Sequence, residues 1–272
     1  MNWKNRSMKI LSIASGSSGN CIYVGTDTTH ILLDAGISNK RIEEGLRLAG
    51  ITGKEIHALC ITHEHSDHTK GIGVLARKYS IPIYATAATI EAIRRDVSLG
   101  TIDPSLFHPI RPDESFPVGD IAVHPFHIYH DAADPVGYRL DSMDKSVAVA
   151  TDLGHYDEYI VSQLQNLNAI VLEANHDIHM LEAGSYPYPL KRRILSDSGH
   201  LSNENCGRLL CKILNDGMEH IFLGHLSKEN NYPDLAYEAV RCEIAQDPCP
   251  YTPDELDIIV AKRDFPSEIY TL

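Results

Sequence analysis

The chain opens with short apolar runs that are separated by polar or glycine-rich turns. Three runs, at residues 8–14, 21–25 and 30–34, have the length and composition of β-strands. The segments between them, residues 16–20 and 26–29, are rich in the glycine, serine, asparagine and threonine that turns favour. The pattern predicts a β-meander at the start of the fold.

Helical spacing of apolar residues then alternates with further strand-like runs. Helices are predicted over residues 39–49, 71–79, 87–96, 157–164, 205–214 and 234–245, and strands over 56–61, 81–85, 146–150, 169–172, 220–223 and 256–261. Residues 107–140 return to a β pattern. Ser202 or Asn203 is expected to cap the helix over residues 205–214. A strand-rich part followed by helices occurs twice, which fits two packed sheets with helices outside both.

Residues 178–198 fit neither periodicity, and we interpret them as a long loop. The segment contains two Tyr-Pro pairs at residues 186–189, and three basic residues follow them. Tyrosines beside basic residues suit stacking on bases and contacts with phosphates, so Lys191, Arg192 and Arg193 are candidate substrate contacts. A packed surface loop is the alternative interpretation.

Composition is that of an ordinary globular protein, with 43% hydrophobic and 22% charged residues among 272. No run of about 20 apolar residues occurs, so we expect no membrane span. The polar N-terminus lacks the features of a signal peptide, which predicts a cytoplasmic protein with a flexible extension over residues 1–7.

Six cysteines without a C-x-x-C pair favour reduced, mostly buried thiols. The formal charge of −13 argues against a general electrostatic attraction to nucleic acid.

Four potential metal ligands lie within six residues, directly after the apolar run at residues 56–61. They belong to the segment Thr62-His63-Glu64-His65-Ser66-Asp67-His68. His63 and His65 are two apart on an extended segment and can bind one ion, whereas Asp67 and His68 follow a turn and face a second position. Such ligands suit Zn, Mn or Fe. Two adjacent ions are typical of sites that hold the attacking and the leaving oxygen of a displacement.

Further candidate site residues lie at or just after the ends of predicted strands. Four residues share this position: Asp34, His130, Asp152 and His225. His124 and His127 are rivals of His130, but they lie inside the predicted strand. Asp34 has an alternative role as the cap of the helix over residues 39–49, and His155 is a weaker candidate near Asp152.

The histidine segment resembles the His-x-His-x-Asp-His signature of the metallo-β-lactamase-fold hydrolases, and the later candidates follow in that family's order. The resemblance covers most of the chain. It implies an α/β fold, a four-layer αββα sandwich, as one domain over residues 1–272. It also implies two divalent metal ions, with a hydroxide between them as the nucleophile. In this sequence the first ion would take His63, His65 and His130, the second Asp67, His68 and His225; Asp152 would bridge them, and Asp34 would fix a histidine tautomer.

Two segments narrow the substrate. Leu172-Glu173-Ala174 and Gly199-His200-Leu201-Ser202 are similar to segments of the transfer-RNA 3′-processing endonucleases of this superfamily. The similarity implies that Glu173 orients His200, which would act as a general acid or stabilise the charge on a phosphate. Asp67 is expected to be essential for catalysis as well. The sequence has no evident Gly-Pro-rich arm for transfer RNA, which argues against that substrate.

Taken together, the segments are most similar to the YycJ-type branch of bacterial metallo-β-lactamase-fold proteins, regarded as DNA exonucleases. Matching segments lie at residues 14–20, 130–138, 172–177 and 199–203, and His176 is a further candidate substrate contact. The expected activity is a phosphodiesterase that degrades DNA from an end. One alternative is a thioesterase of the glyoxalase-II kind or another small-molecule ester hydrolase, for which the histidine segment is equally suitable. Another is a metal-binding regulatory protein without turnover. The oligomeric state is left open.

Overall fold

The fold is built from two mixed β-sheets that lie face to face and carry helices on their outer sides. The computed structural model describes residues 7–246 and 249–272, and each sheet has seven strands within these residues. The predicted flexible extension over residues 1–7 lies outside them, apart from Ser7.

The strands of the first sheet are β1 (Lys9–Ala14), β2 (Cys21–Gly25), β3 (His30–Leu33), β4 (Ala58–Cys60), β5 (Ile83–Thr86), β6 (Phe107–Ile110) and β14 (Tyr270–Thr271). Those of the second sheet are β7 (Phe116–Val118), β8 (Ile121–His127), β9 (Val136–Ser142), β10 (Lys145–Ala150), β11 (Ala169–Glu173), β12 (His220–Gly224) and β13 (Ile258–Val260). The α-helices are α1 (Asn39–Leu48), α2 (Ser66–Thr69), α3 (Ile72–Tyr79), α4 (Ala87–Arg95), α5 (Glu158–Gln163), α6 (Ile178–Ala183), α7 (Tyr188–Ile194), α8 (Asn203–Ile213) and α9 (Pro233–Gln246).

Each sheet joins an antiparallel half to a parallel half. In the first sheet, β1, β2 and β3 form the predicted antiparallel meander, and β3 to β6 run parallel. In the second sheet, β7 to β10 are antiparallel neighbours, and β10 to β13 run parallel. Because helices connect most of the parallel strands, both outer faces are covered.

Side-chain alternation along the strands produces three hydrophobic layers. In β3, Ile31 and Leu33 lie in the core between the two sheets, while Leu32 faces the helices outside the first sheet. In β10, Val149 belongs to the central core and Ala148 to the core under the outer helices of the second sheet. Helices α1, α3 and α4 cover the first sheet, and α5, α8 and α9 cover the second. The predicted αββα sandwich is confirmed.

The interpretation of residues 178–198 as a long loop is wrong, because α6 and α7 occupy most of the segment. The Asp177 carboxylate begins α6 by accepting a hydrogen bond from the Met180 N–H at 2.7 Å. Pro189 lies in the first turn of α7, where a missing N–H leaves no helical hydrogen bond unmade. The two prolines of the Tyr-Pro pairs therefore mark the beginning of a helix.

Most other predicted elements are confirmed with small shifts of their ends. Of the two residues predicted to cap α8, Ser202 is the one that does so, because its hydroxyl accepts a hydrogen bond from the Asn205 N–H at 3.2 Å. The short strand β14 was not predicted. It pairs with β1 at Ile10 and Tyr270, across nearly the whole length of the chain.

Helix lengths and cysteine positions bear on two further predictions. Within the described residues, every helix is too short or too polar to cross a membrane. No disulfide joins the six cysteines, all of which lie within the described residues; Cys21, Cys60 and Cys206 are buried, and Cys211 and Cys249 are half-buried. Cys242 is exposed, so the expectation of mostly buried thiols holds for only half of them.

The parallel halves determine where polar side chains gather. Asp34 follows β3 and the histidine segment follows β4, while Asp152, Glu173 and His225 lie at or just after the ends of β10, β11 and β12. The carboxyl ends of neighbouring parallel strands lie at the same edge of a sheet. Residues distant in sequence therefore meet at one edge of the sandwich.

Candidate metal centre

The histidine segment runs from the end of β4 into the short helix α2. His63 and His65 lie on its extended part, and Asp67 and His68 lie on the helix, so the chain turns between the two pairs as predicted. Gly36 permits a close contact here, because a Cβ atom on it would lie 1.6 Å from the carbonyl oxygen of Asp67. The loop after β3 can therefore touch α2 only where it has no side chain.

Three histidines direct ring nitrogens at one point, and we call them the first cluster. His65 Nδ1 lies 3.0 Å from His63 Nε2 and 3.2 Å from His130 Nε2. His63 and His130 are buried. The carbonyl oxygen of Gly199 lies 3.0 Å from His130 Nδ1 and can only accept, so Nδ1 carries the hydrogen and Nε2 keeps its lone pair.

Asp67, His68 and His225 form a second cluster beside the first. Asp67 Oδ2 lies 3.6 Å from His68 Nε2 and 3.3 Å from His225 Nε2. His68 and His225 are buried, whereas Asp67 is half-buried. One carboxylate and two imidazoles are again a donor set for a divalent cation.

Asp152 lies between the two clusters. Its Oδ2 atom is 3.1 Å from His68 Nε2, and its Oδ1 atom is 3.7 Å from His130 Nε2. The carboxylate thus lies within 4 Å of ring nitrogens of both clusters, and the residue is almost completely buried. A carboxylate with this orientation is suited to bridge two cations.

Asp34 and Thr62 support the ligands from behind. Asp34 Oδ2 accepts hydrogen bonds from His68 Nδ1 at 2.7 Å and from the Thr62 hydroxyl at 2.9 Å. Because that hydroxyl donates to Asp34, it accepts from His63 Nδ1, which lies 3.0 Å away. Both histidines therefore keep Nε2 free for a cation. Ser38 rather than Asp34 precedes α1, so the alternative interpretation of Asp34 as a helix cap is wrong.

Glu173 is a completely buried carboxylate that joins the second cluster to His200. Its Oε1 atom accepts hydrogen bonds from Nδ1 of His200 at 2.9 Å and from Nδ1 of His225 at 2.8 Å. Its Oε2 atom accepts from the backbone N–H groups of Leu153 at 2.7 Å and Leu201 at 3.1 Å. Four donors thus fix the carboxylate, which in turn fixes the orientation of two imidazole rings.

Comparison with known proteins identifies the family. Residues 29–216 match the beta-lactamase superfamily domain, which is more than half of the chain. The chain belongs to this superfamily. Exodeoxyribonuclease YycJ of Bacillus anthracis is 40% identical over 228 residues, which cover 84% of this chain and 86% of that protein. Exodeoxyribonuclease WalJ of Streptococcus pneumoniae strain D39 is 42% identical over 234 residues, with 86% and 87% covered.

A solved structure shows the same fold at low sequence identity. The metallo-β-lactamase-fold protein YhfI from Bacillus subtilis superposes with a TM-score of 0.70 at 16% identity, covering 98% of this chain and 100% of that one. Family membership and fold together confirm the prediction of a metallo-β-lactamase-fold, metal-dependent hydrolase.

The donor set of this superfamily member fits two divalent cations. In the first cluster, three imidazole nitrogens lie close together around one point, with the hydrogens of His63 and His130 held on the outer side of their rings. In the second cluster, the anionic Asp67 lies beside two further imidazoles. Nitrogen and carboxylate donors accept Zn, Mn or Fe; the first cluster offers three imidazoles, and the second offers two imidazoles and a carboxylate.

Burial and carboxylates shift the pKa values of the ligand histidines in opposite directions. Burial lowers the pKa of His63 well below its ordinary value and also lowers that of His130. Burial acts in the same direction on His68 and His225, but nearby carboxylates, Asp152 above all, outweigh it. The pKa of His68 therefore lies well above its ordinary value, and that of His225 is raised to about 10.

Three residues of the centre adopt a left-handed backbone conformation just after a strand. Their φ angles are 60° at Asp34, 59° at Asp152 and 55° at His225. This conformation costs a residue other than glycine about 1 to 3 kcal/mol, and surrounding contacts must hold it. At His225 the backbone N–H donates to the Ser15 hydroxyl at 2.9 Å, and the carbonyl accepts from the Asn175 side chain at 2.9 Å.

The three basic residues predicted as substrate contacts have different surroundings. Lys191 donates hydrogen bonds at 2.6 and 2.7 Å to two backbone carbonyls at the end of α6. Arg193 forms an ion pair with Asp131, next to the first cluster. The Arg192 guanidinium lies 6.0 Å from the centre of the Tyr188 ring, which is 72% exposed. Arg192 is thus the one of the three with an accessible charge and an aromatic neighbour.

The other candidate histidines lie outside both clusters. His176 is buried near Glu173; its Nδ1 atom is 3.3 Å from Asn175 Oδ1, and its Nε2 atom has no hydrogen-bond partner among the described residues. His124 pairs with Asp141 at 3.1 Å. His155 donates to a backbone carbonyl of the loop before α8.

Three features of the centre were not predicted from sequence: the Thr62 hydroxyl, the Gly199 carbonyl and the contact between Glu173 and His225. Thr62 precedes the first histidine, so its position was the available signal. The contact between Glu173 and His225 depends on the register of β11 and β12, which pairs Glu173 with Gly224. Nothing in the local sequence specifies that register.

Proposed function

We propose that this protein is a two-metal phosphodiesterase that degrades DNA from an end. The observation that carries the proposal is the position of His200. Its Nδ1 atom is held by Glu173 at 2.9 Å, and it lies 3.6 Å from Oδ1 of Asp152. The His200 side chain keeps 15% of its surface exposed at the edge of the two clusters. A substrate at the metal centre would therefore meet the opposite side of this ring.

We propose that the first cluster holds one divalent ion, the second cluster holds another, and Asp152 bridges them, with Zn, Mn and Fe as the candidate metals. When bound, such a pair lowers the pKa of a water between the ions and stabilises negative charge on the electrophile. Asp34, Thr62 and the Gly199 carbonyl keep the ligand rings in the tautomers that this requires.

His200 has the properties of a proton donor to the leaving oxygen. Burial lowers its pKa, but the neighbouring Glu173 and Asp152 carboxylates outweigh burial and raise the pKa above its ordinary value. The imidazole therefore holds a proton more readily than an ordinary histidine does. With Nδ1 directed at Glu173, Nε2–H is left to donate to a phosphate or leaving oxygen.

Two observations support DNA as the substrate. The relatives named exodeoxyribonuclease are 40% and 42% identical over most of their length. In addition, Arg192 and the exposed Tyr188 on α7 combine a charge for phosphate with a ring for a base.

The experiment is degradation of DNA labelled at the 5′ or the 3′ end by Mn²⁺-loaded protein, with single and double strands offered separately. We expect stepwise loss of label, and the end that disappears first gives the polarity. Asp67→Ala should abolish cleavage because it removes an anionic ligand from the second cluster. Asp144→Ala, in the exposed turn between β9 and β10, is the matched control and should behave like the wild type.

His200→Ala in the same assay separates the proton donor from the metal ligands. We expect kcat to fall about 10²- to 10⁴-fold while both metals stay bound. Full turnover by His200→Ala would remove this role for His200 and leave the nuclease proposal standing. No cleavage by a protein with measured metal content would refute the nuclease proposal itself, and turnover of a thioester would then favour the alternative.

A further inference from the structure

A cleft of about 440 Å³ lies beside the first cluster, and nothing in the proposed chemistry uses it. His130 forms part of its wall, together with Tyr129, His155 and the loop at residues 196–198. The cleft is shallow and largely open to solvent, and its volume is within the range of clefts that hold small molecules. Because His130 belongs to both, the cleft borders the metal centre.

Two aromatic rings form one side of the cleft. Tyr129 and His155 stack with their ring centres 4.0 Å apart and an angle of 24° between their planes. Both residues are partly exposed. The Tyr129 hydroxyl donates to Asp157 at 2.7 Å, and His155 Nδ1 donates to the carbonyl oxygen of Asp197 at 2.8 Å. The rings are therefore held in place before any ligand arrives.

Backbone hydrogen bonds connect these rings to the metal ligand. The Gly154 N–H donates to the Tyr129 carbonyl at 2.8 Å, and the next residue along the chain is His130. The loop at residues 196–198 accepts the hydrogen bond from His155, and its Ser198 carbonyl also accepts one from the Asp131 N–H at 3.1 Å. A Cβ atom on Gly154 would lie 2.3 Å from the Asp197 carbonyl oxygen, so only glycine permits this approach.

The chemistry of the cleft suits a nucleobase rather than a phosphate. Its described lining contains no lysine or arginine; it offers ring faces, the hydroxyls of Ser196 and Ser198, and the carboxylate of Asp197. The carboxylate repels an anion, whereas the ring faces can stack on a flat, neutral ring, and the hydroxyl and carboxylate oxygens can accept hydrogen bonds from its amino groups.

We infer that this cleft binds the unpaired base of the nucleotide next to the phosphodiester that is cleaved. The inference rests on the proposed function and extends it. Stacking on Tyr129 and His155 requires a base that has left its own stack, so the enzyme takes single strands, or ends that have opened. Because stacking depends on ring faces, every base is accepted.

The test uses single-stranded oligonucleotides in which one nucleotide at a time, counted from the susceptible end, is replaced by an abasic one. We expect kcat/KM of the wild type to fall roughly 5- to 150-fold when the missing base is the one that occupies the cleft, and little at positions further along. In His155→Ala the ratio between the intact and the abasic substrate should shrink toward one at that position. His155→Phe keeps a flat ring and should restore the ratio.

His108→Ala is the matched control, because His108 stacks on Tyr84 at 5.0 Å on β6, at a distance from the centre along the sheet. It should keep the wild-type ratio, and metal content and circular dichroism check that every variant is folded. An equal penalty at all positions, or the same penalty in His155→Ala and wild type, would overturn the inference while DNA cleavage still supports the nuclease proposal. If the metal-loaded wild type cleaves no DNA, both fall together.

Discussion

At the scale of single residues, the two clusters differ in how they hold protons. His63 and His130 have lowered pKa values because burial dominates, so they are neutral near pH 7. His68 and His225 have raised pKa values because carboxylates outweigh burial, so they are protonated at that pH when no cation is present. A metal ion binds only the deprotonated ring, and it must therefore displace protons from the second cluster.

This difference predicts that an ion entering the second cluster releases about two protons at pH 7, while an ion entering the first cluster releases few. The affinity of the second cluster for its ion should accordingly rise as the pH approaches the pKa of His225, which is about 10. Titration calorimetry of metal-free protein with Zn²⁺, in two buffers of different ionisation enthalpy, measures the proton count for each step. Equal proton release for both ions would contradict the assignment of the clusters.

At the scale of elements, the loop after β3 and the helix α2 are in contact through Gly36. The Cβ of an alanine at this position would lie 1.6 Å from a backbone oxygen, and backbone cannot move aside as a flexible side chain can. Gly36→Ala should therefore push α2 outward, destabilise the protein by about 1 to 3 kcal/mol and weaken metal binding by the second cluster more than by the first. Thermal unfolding with and without metal measures both effects.

The control for Gly36→Ala is Gly217→Ala, whose nearest neighbour would be the end of the Asn215 side chain at 3.0 Å. It should cost less stability and leave metal binding unchanged. If Gly36→Ala binds both metals normally, the contact with α2 is not what positions Asp67 and His68.

Elements that depend on local sequence were predictable, and those that depend on distant partners were not. The strand ends that carry Asp34, Asp152 and His225 follow from apolar runs and the polar residues after them. The helix α7 was missed because a proline such as Pro189 is as typical of a turn as of the first turn of a helix. The helix α6 was missed because its six residues are too few to show a helical period. β14 was missed because two residues have no periodicity, and their pairing with β1 is fixed by tertiary structure.

The same distinction applies to the centre. The spacing of the histidine segment indicated metal binding, and the structure brings six of the seven predicted ligands into two adjacent clusters, with Asp152 between them. The hydrogen bonds that orient them were not predicted. They involve the Gly199 carbonyl, the Thr62 hydroxyl and the Glu173 carboxylate, which the register of β11 and β12 brings to His225. These contacts arise where the parallel halves of two sheets meet, which a single segment does not reveal.

At the scale of the whole molecule, an acidic protein is proposed to act on a polyanion. The chain has 37 acidic against 24 basic residues, for a formal charge of −13. Near the centre, Lys191 and Arg193 are engaged with groups of the protein itself, which leaves Arg192 with an accessible charge on α7. Under the proposed function, attraction of DNA would therefore come mainly from two divalent ions and from stacking on aromatic rings.

If the protein binds DNA in this way, its kcat/KM for DNA cleavage should depend only weakly on the salt concentration. One or two phosphate contacts on a single strand predict that kcat/KM falls roughly 3- to 7-fold between about 50 and 200 mM salt, because few counterions are released. Steady-state cleavage of a labelled single strand over that range measures the slope. Arg192→Gln should flatten it further, whereas Arg95→Gln, on the exposed end of α4, should not change it. A fall of a thousandfold would mean that an extended basic surface contacts the DNA, against the charge distribution described here.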